Sequence, residues 1–248
     1  MKKLFIIINL VLCVAAQAQS VRVAAAGNLR YILQDIKVKY QAENPKAKID
    51  IVIGASGALT QQIINGADFD LFMSADKIYP DKLKSQGTAV GEVKTYALGR
   101  LVLWSNTLDV SKGIEMLTDK SVSRIAVAKP DVAPYGASAI ECLKYYGIYE
   151  KVKDKLVFAD NIAQAAQFAQ SGNAEVAFLA QALVFAPDLE GKYVYLDAKS
   201  YKPVEQACVL LRNWEKNPEA SRFMKFILGP SCEPLFKKYG FIVSPGKK

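Results

Sequence analysis

The chain has 248 residues, 51% of them hydrophobic and 23% charged, enough for one large domain or two lobes with a sizeable core. Its formal net charge of +8 comes from single lysines spread over polar segments such as DKIYPDKLKSQ and YEKVKDKL, not from the basic patch with interleaved aromatics that marks a nucleic-acid binder. Histidine is absent, which excludes Ser-His-Asp and Cys-His catalysis and His-ligated metals, and Cys13, Cys142, Cys208 and Cys232 lack the CxxC spacing of zinc or iron–sulfur sites.

The first segment, MKKLFIIINLVLCVAAQAQS, has two lysines, an apolar run from Leu4 to Ala16 and the small-x-small pattern Ala16-Gln17-Ala18. It reads as a secretory signal peptide over residues 1–18, cleaved after Ala18 and too short to span a membrane. The mature chain is expected outside the cytoplasm, in the periplasm. Cleavage removes Lys2, Lys3 and Cys13, leaving a charge of +6 and three cysteines. Cys142 reads as a buried helical position, and a Cys208–Cys232 bridge is open.

SVRVAAAG predicts a short buried strand ending at Gly27. NLRYILQDIKVKYQAENP carries Leu29, Ile32, Leu33, Ile36 and Tyr40 on one helical face, with Asn28 as its N-cap and Pro45 as its stop. KIDIVIG is the next strand, Ser56 heads a second helix, and FDLFMSAD is a third strand. Strand and helix alternate, so the class is α/β with a mainly parallel sheet. Further on, YALGRLVLWS predicts one long apolar strand. SRIAVAKPDVAPYGASAIECLKYYGIY and KLVFADNIAQAAQFAQSGNAEVAFLAQALV each read as strand, loop and helix. After a polar stretch, GKYVYLDAKSYKPVEQ, come a strand ACVLLRN and a terminal helix NPEASRFMKFILGPSCEPLFKKYGF.

GASGAL, residues 54–59, stands where a strand ends and a helix begins, as does Ala26-Gly27-Asn28. Both junctions are small and polar, carry no carboxylate, and open a helix whose first amide N–H groups lack intrahelical partners. Each suits either a plain helix cap or an anion held beyond the carboxyl ends of the strands. Neither has the lysine of a P-loop or a GxGxxG pattern. Ser56 as a hydrolase nucleophile fits poorly: GASGA is not a G-x-S-x-G elbow, and the bases within reach in sequence are Lys48 and Lys77, without S-x-x-K spacing. An iron site is disfavoured because Tyr145 and Tyr146, as neighbours on a helix, point about 100° apart and are expected to pack separately. Trp104 and Trp214 each follow an apolar strand and are expected to be buried rather than to anchor a partner. Ser74-Ala75-Asp76 reads as a strand end and helix cap.

VAAAGNL followed by IVIGASGALTQQIINGADFDLFMSAD resembles the periplasmic molybdate-binding proteins of ABC importers, and RIAVAKPDVAPYGASA and FMKFILGPSCEPLFKKYGF extend the likeness over essentially the whole mature chain. The resemblance implies the two-lobed periplasmic binding protein fold (type II). Residues 19–99 with 209–248 would form the first lobe and 100–208 the second, joined by two crossover hinge strands. It implies a tetrahedral oxyanion, molybdate or tungstate, held through its oxygens by Gly27, Asn28, Ser56, Gly57 and the amides of Tyr135 and Ile162, with no direct metal ligand. It also implies no cofactor and no catalysis, with delivery by a monomer to a membrane permease. Two departures stand out: Gly27-Asn28 replaces the usual first serine, and Leu179 occupies the place of a tyrosine donor. A cavity built of donors would disfavour monoprotonated phosphate, whose O–H finds no acceptor, unless Asn28 turns its amide oxygen inward. Sulfate, fully ionised like molybdate, remains the alternative ligand.

Overall fold

The computed structural model describes residues 20–243; the expected leader, 1–18, lies outside them, and so does the side chain of Trp214. No helix among the described residues is long and apolar enough to cross a membrane. The chain opens as predicted, with β1 (Ser20–Ala26), α1 (Arg30–Glu43), β2 (Lys48–Gly54), α2 (Ser56–Ile64) and β3 (Leu71–Ser74). It continues with a helix that the sequence reading did not name, α3 (Ile78–Ser85), and a strand that starts ahead of the expected YALG, β4 (Ala89–Gly99). Then follow β5 (Leu101–Ser105), β6 (Ile125–Ala128), α4 (Pro134–Tyr145), α5 (Tyr149–Val152), β7 (Leu156–Ala159), α6 (Ile162–Gln170), β8 (Val176–Ala180), α7 (Gln181–Val184) and β9 (Lys192–Tyr195). The last elements are β10 (Val204–Leu211), α8 (Pro218–Ile227) and α9 (Glu233–Lys238).

The strands form two five-stranded sheets, ordered β2-β1-β3-β10-β4 and β7-β6-β8-β5-β9. In the first, β1 pairs in parallel with β2 and β3, while β10 runs antiparallel to β3 and β4. In the second, β6 pairs in parallel with β7 and β8, while β5 runs antiparallel to β8 and β9. Each sheet is therefore mainly parallel and carries a single reversed strand. Strand-to-helix turns of β1, β2, β6 and β7 all open at carboxyl ends, and the two sheets turn those ends toward each other across a cleft.

Both sheets are packed on their two faces, so their strands read as nearly continuous apolar runs. Val21, Val23 and Ala25 face α1, α8 and α9 through Leu33, Ile36, Phe223 and Phe236. Ala24 and Phe72 face α2 and α3 through Leu59, Ile63 and Leu83. A separate core fills the second lobe around Trp104, Val127, Cys142, Phe178 and Leu179. Trp104 is fully buried, as its position after an apolar strand predicts. Cys142, Cys208 and Cys232 are all buried and free, so no Cys208–Cys232 bridge is made.

Several expected boundaries move. YALGRLVLWS is two strands, because the chain leaves one sheet for the other at Arg100: Gly99 pairs with Val204 and Leu101 with Ala180. Apolar periodicity cannot register a change of sheet. The return strand begins at Val204, inside the segment read as polar, and pairs in the first sheet from there, ahead of the expected division at residue 209. That same polar segment supplies β9. The terminal helix breaks into α8 and α9 around Gly229-Pro230, where proline has no N–H to continue the ladder. Asn28 does not cap a helix with its side chain. It lies in a 3-10 turn, Gly27–Leu29, and α1 starts only at Arg30; its amide is drawn instead to Gln206. Tyr145 and Tyr146 do not pack separately: their rings meet edge to face at 5.2 Å, both exposed. Tyr146 is the C-cap, its amide still bonded to the Cys142 carbonyl at 3.1 Å, and two long aromatic side chains at adjacent positions reach each other around the helix end.

Candidate oxyanion site between the sheets

Four helical starts converge on one small, tight cavity, lined by Ala26, Gly27, Asn28, Gly54, Ala55, Ser56 and Ala75 from the first lobe and by Ala133, Pro134, Tyr135 and Ile162 from the second. Among the described residues, no lysine, arginine, aspartate or glutamate lines it. Ala26, Ala55 and Ala133 precede three of these starts in extended backbone, and none has a side chain that caps the helix. A serine or aspartate there would satisfy the first amides internally. Alanine leaves them to whatever occupies the cavity. The start of α6 is different: Asn161 Oδ1 accepts from the amides of Ala163 and Gln164 at 3.0 and 3.1 Å, which leaves the amide of Ile162 outside the cap.

Ser56 is fully buried, and its Oγ accepts a 3.1 Å hydrogen bond from the Ala75 amide. With one lone pair engaged, the hydroxyl hydrogen is free to be donated. Asn28 is 1% exposed; its Nδ2 donates to Gln206 Oε1 at 2.9 Å, and its Oδ1 is buried without a partner. Tyr135 opens α4 after Pro134 at the first helical position, which suits a ring that fixes φ and has no N–H to leave unpaired. Its ring runs away from the cavity to the hinge, where a Cβ on Gly99 would stand 2.0 Å from its hydroxyl. Burial pushes the Tyr135 and Tyr96 phenols far above their ordinary range, so both stay neutral.

Of the residues proposed from sequence, Gly27, Asn28, Ser56, Tyr135 and Ile162 come together here. Gly57 does not line the cavity. Its amide donates across the cleft to the Val132 carbonyl at 2.8 Å, beside a 3.1 Å bond from the Tyr79 hydroxyl to the Asp131 carbonyl. These contacts hold the lobes together at the rim. Gly27 meets the opposite lobe directly: a Cβ there would lie 3.0 Å from Asn161 Oδ1 and 3.2 Å from the Ala163 nitrogen. Glycine permits that approach.

Asp76 is absent from the lining and acts as the expected cap, its Oδ1 accepting from the Tyr79 amide at 3.2 Å and from Ser74 Oγ at 3.1 Å. Burial raises its carboxyl above the usual range, and those hydrogen bonds pull it back. Leu179 lies in the core of the second lobe, paired with Val102. Ser56 has no base beside it. Lys48 opens the strand at whose far end Ser56 lies, roughly 20 Å off at ~3.3 Å per residue, and Lys77 pairs with Asp81 at 2.7 Å. Gln206, fully buried behind Asn28, was missed. A glutamine just ahead of ACVLL was the available signal, a polar side chain entering an apolar strand.

Two lobes, each a mainly parallel sheet, with a helix-start cavity between them, define the periplasmic binding protein fold. A family profile described as bacterial extracellular solute-binding protein matches residues 21–242. The chain is 35% identical over 237 residues to the molybdate-binding protein ModA of Azotobacter vinelandii, covering 93% of this chain and 92% of that one. It is 36% identical over 235 residues to ModA of Rhodobacter capsulatus, covering 93% and 91%. Among solved structures, the Azotobacter vinelandii periplasmic molybdate-binding protein superposes with a TM-score of 0.84 at 30% identity, covering 90% of this chain and 99% of that chain. The chain belongs to the bacterial extracellular solute-binding protein family.

Proposed function

We propose that this protein captures molybdate, or the chemically similar tungstate, between its lobes in the periplasm and delivers it to the membrane permease of an ABC importer. It acts as a monomer after loss of its leader, with no cofactor, no catalysis and no nucleic-acid partner. The observation that carries this reading is the convergence of uncapped helix starts from both sheets on a cavity without charged side chains. Such starts offer amide donors and partial positive charge to an anion. The candidate donors are the Ser56 hydroxyl, the Asn28 amide and backbone N–H groups at Gly27, Tyr135 and Ile162. A hydrogen bond to a charged group contributes about 1.5–3 kcal/mol, so a handful outweighs an association cost of about 4–15 kcal/mol only when most are made at once. That favours a ligand with four oxygens in contact with both lobes. With no carboxylate in the lining, monoprotonated phosphate is disfavoured, while molybdate, tungstate and sulfate need no acceptor. Similarity to molybdate-binding relatives over most of the chain favours molybdate over sulfate.

Calorimetric titration of the mature chain with molybdate tests the reading, with sulfate and phosphate as competitors. One-to-one binding that phosphate does not displace is the expected outcome. Saturation by sulfate alone would reassign the ligand, and no heat from any of the three would remove the site.

A further inference from the structure

Gln206 does not line the cavity, but it meets Asn28, Ala75 and Tyr135 of the lining, and its surroundings leave it one orientation. Its Nε2 lies 3.3 Å from the Ala75 carbonyl and 3.4 Å from that of Val204. Carbonyl oxygens only accept, so the amide nitrogen must face them, and the amide oxygen must face Asn28. Asn28 in turn can present only its Nδ2 to Gln206, at 2.9 Å. Turning the Asn28 amide over would set two acceptor oxygens against each other in a buried place. Opposite Gln206 the neighbouring strand bulges: Gln206 pairs with Ala97 but Ala207 pairs with Thr95, so Tyr96 is an extra residue in the ladder. Bulges of this kind re-aim a side chain beside a site. The Tyr96 hydroxyl donates to the Ser74 carbonyl at 3.0 Å and lies 3.4 Å from Gln206 Oε1. The Tyr135 hydroxyl, from the other lobe, lies 3.4 Å from Gln206 Nε2.

We propose that Gln206 is the positioning residue of the oxyanion site: it fixes the Asn28 amide by accepting one Nδ2 hydrogen, so that the second is held for the ligand and the amide cannot turn its oxygen to a protonated anion. The proposal rests on the oxyanion reading and adds to it a residue that never touches the ligand. It also identifies what keeps Asn28 from relaxing the discrimination against phosphate. Without Gln206 the amide is free to present Oδ1 to a P–O–H group, so affinity for molybdate falls and the gap to phosphate narrows.

The test is a double-mutant cycle read by calorimetry on the wild type, Gln206→Met, Asn28→Ala and the double variant, with melting temperatures taken alongside. Gln206→Met is expected to weaken molybdate binding by roughly tenfold or more, the loss of about one charge-assisted hydrogen bond, and to lower the molybdate-to-phosphate ratio. In the Asn28→Ala background the same change is expected to do almost nothing. Equal losses in both backgrounds, or none in the wild type, overturn the proposal while leaving the oxyanion reading intact. If the wild type binds no oxyanion, both fall. Should Gln206→Met not fold, Gln206→Leu takes its place in the same cycle, since it too removes the acceptor facing Asn28, and the same outcomes support or overturn the proposal.

Discussion

Strand for strand the two lobes match: β2-β1-β3-β10-β4 in one and β7-β6-β8-β5-β9 in the other, each with its single reversed strand next to the edge. Their contributions to the cavity do not match. The first lobe brings side chains, the Asn28 amide and the Ser56 hydroxyl, both buried and both tied to a neighbour that orients them. The second brings the starts of α4 and α6, where Tyr135 turns its ring toward the hinge and the Ile162 side chain packs toward Gly27 of the first lobe, so that this lobe has no polar side chain to offer there. One topology thus offers a site either through what residues carry or through where helices begin. The first kind is open to side-chain substitution. The second answers only to changes in the backbone.

The largest effect is expected where the second lobe holds its helix against its sheet. A Cβ on Gly136 would lie 2.1 Å from the Ala128 carbonyl oxygen, a backbone atom that cannot step aside. Gly136→Ala should cost at least the ~1–3 kcal/mol of an overpacked core and dislodge the start of α4, seen as a lower melting temperature and lost molybdate binding together. Retained affinity would detach α4 from the site.

Ile162→Pro addresses the backbone donor itself. Proline is tolerated at the first position of a helix, and Asn161 already has the extended φ of −153° and ψ of 173° that a following proline requires. The change removes one N–H and some apolar contact, so binding should weaken by roughly 10- to 100-fold, on the order of 1.5–3 kcal/mol, while circular dichroism stays unchanged. Unaltered affinity would restrict the second lobe's contribution to Tyr135.

Ser56→Ala is the counterpart in the first lobe. It should weaken binding by roughly tenfold, in the range of one charge-assisted bond. It should also lower the stability of the ligand-free protein by ~1–3 kcal/mol, because the buried Ala75 amide loses its acceptor. Stability loss without affinity loss would make Ser56 a brace, not a donor.

The smallest effect lies in the first lobe's core. Burial pushes the Cys208 thiol from 9.0 up to about 12. Above pH 9 the unfolded thiol ionises while the folded one keeps its proton, so the unfolded state holds fewer protons and stability falls as pH rises from about 9 toward 12. The slope is at most ~1.4 kcal/mol per pH unit for one group. Denaturant titrations at pH 8 and 10 should differ by about that amount, and Cys208→Ala should reduce the difference.

Much of this was legible in the chain. The alternation of apolar strands with 3.6-period helices defines an α/β class, and the small, uncharged junctions at Gly27-Asn28 and Ser56 mark helix starts that suit either a plain cap or an anion. Such features are local: a strand end, a helix start and a missing carboxylate are written in a few consecutive residues. Only the packed structure decided that Gly57 spends its amide on Val132, that Asn28 surrenders its capping role to Gln206, and that VEQ belongs to β10. Asn28 and Gln206 stand 178 positions apart, and Gly57 meets a loop of the opposite lobe. Hydrogen-bond partners across a cleft follow from how two sheets come together, and no short window of residues carries that information.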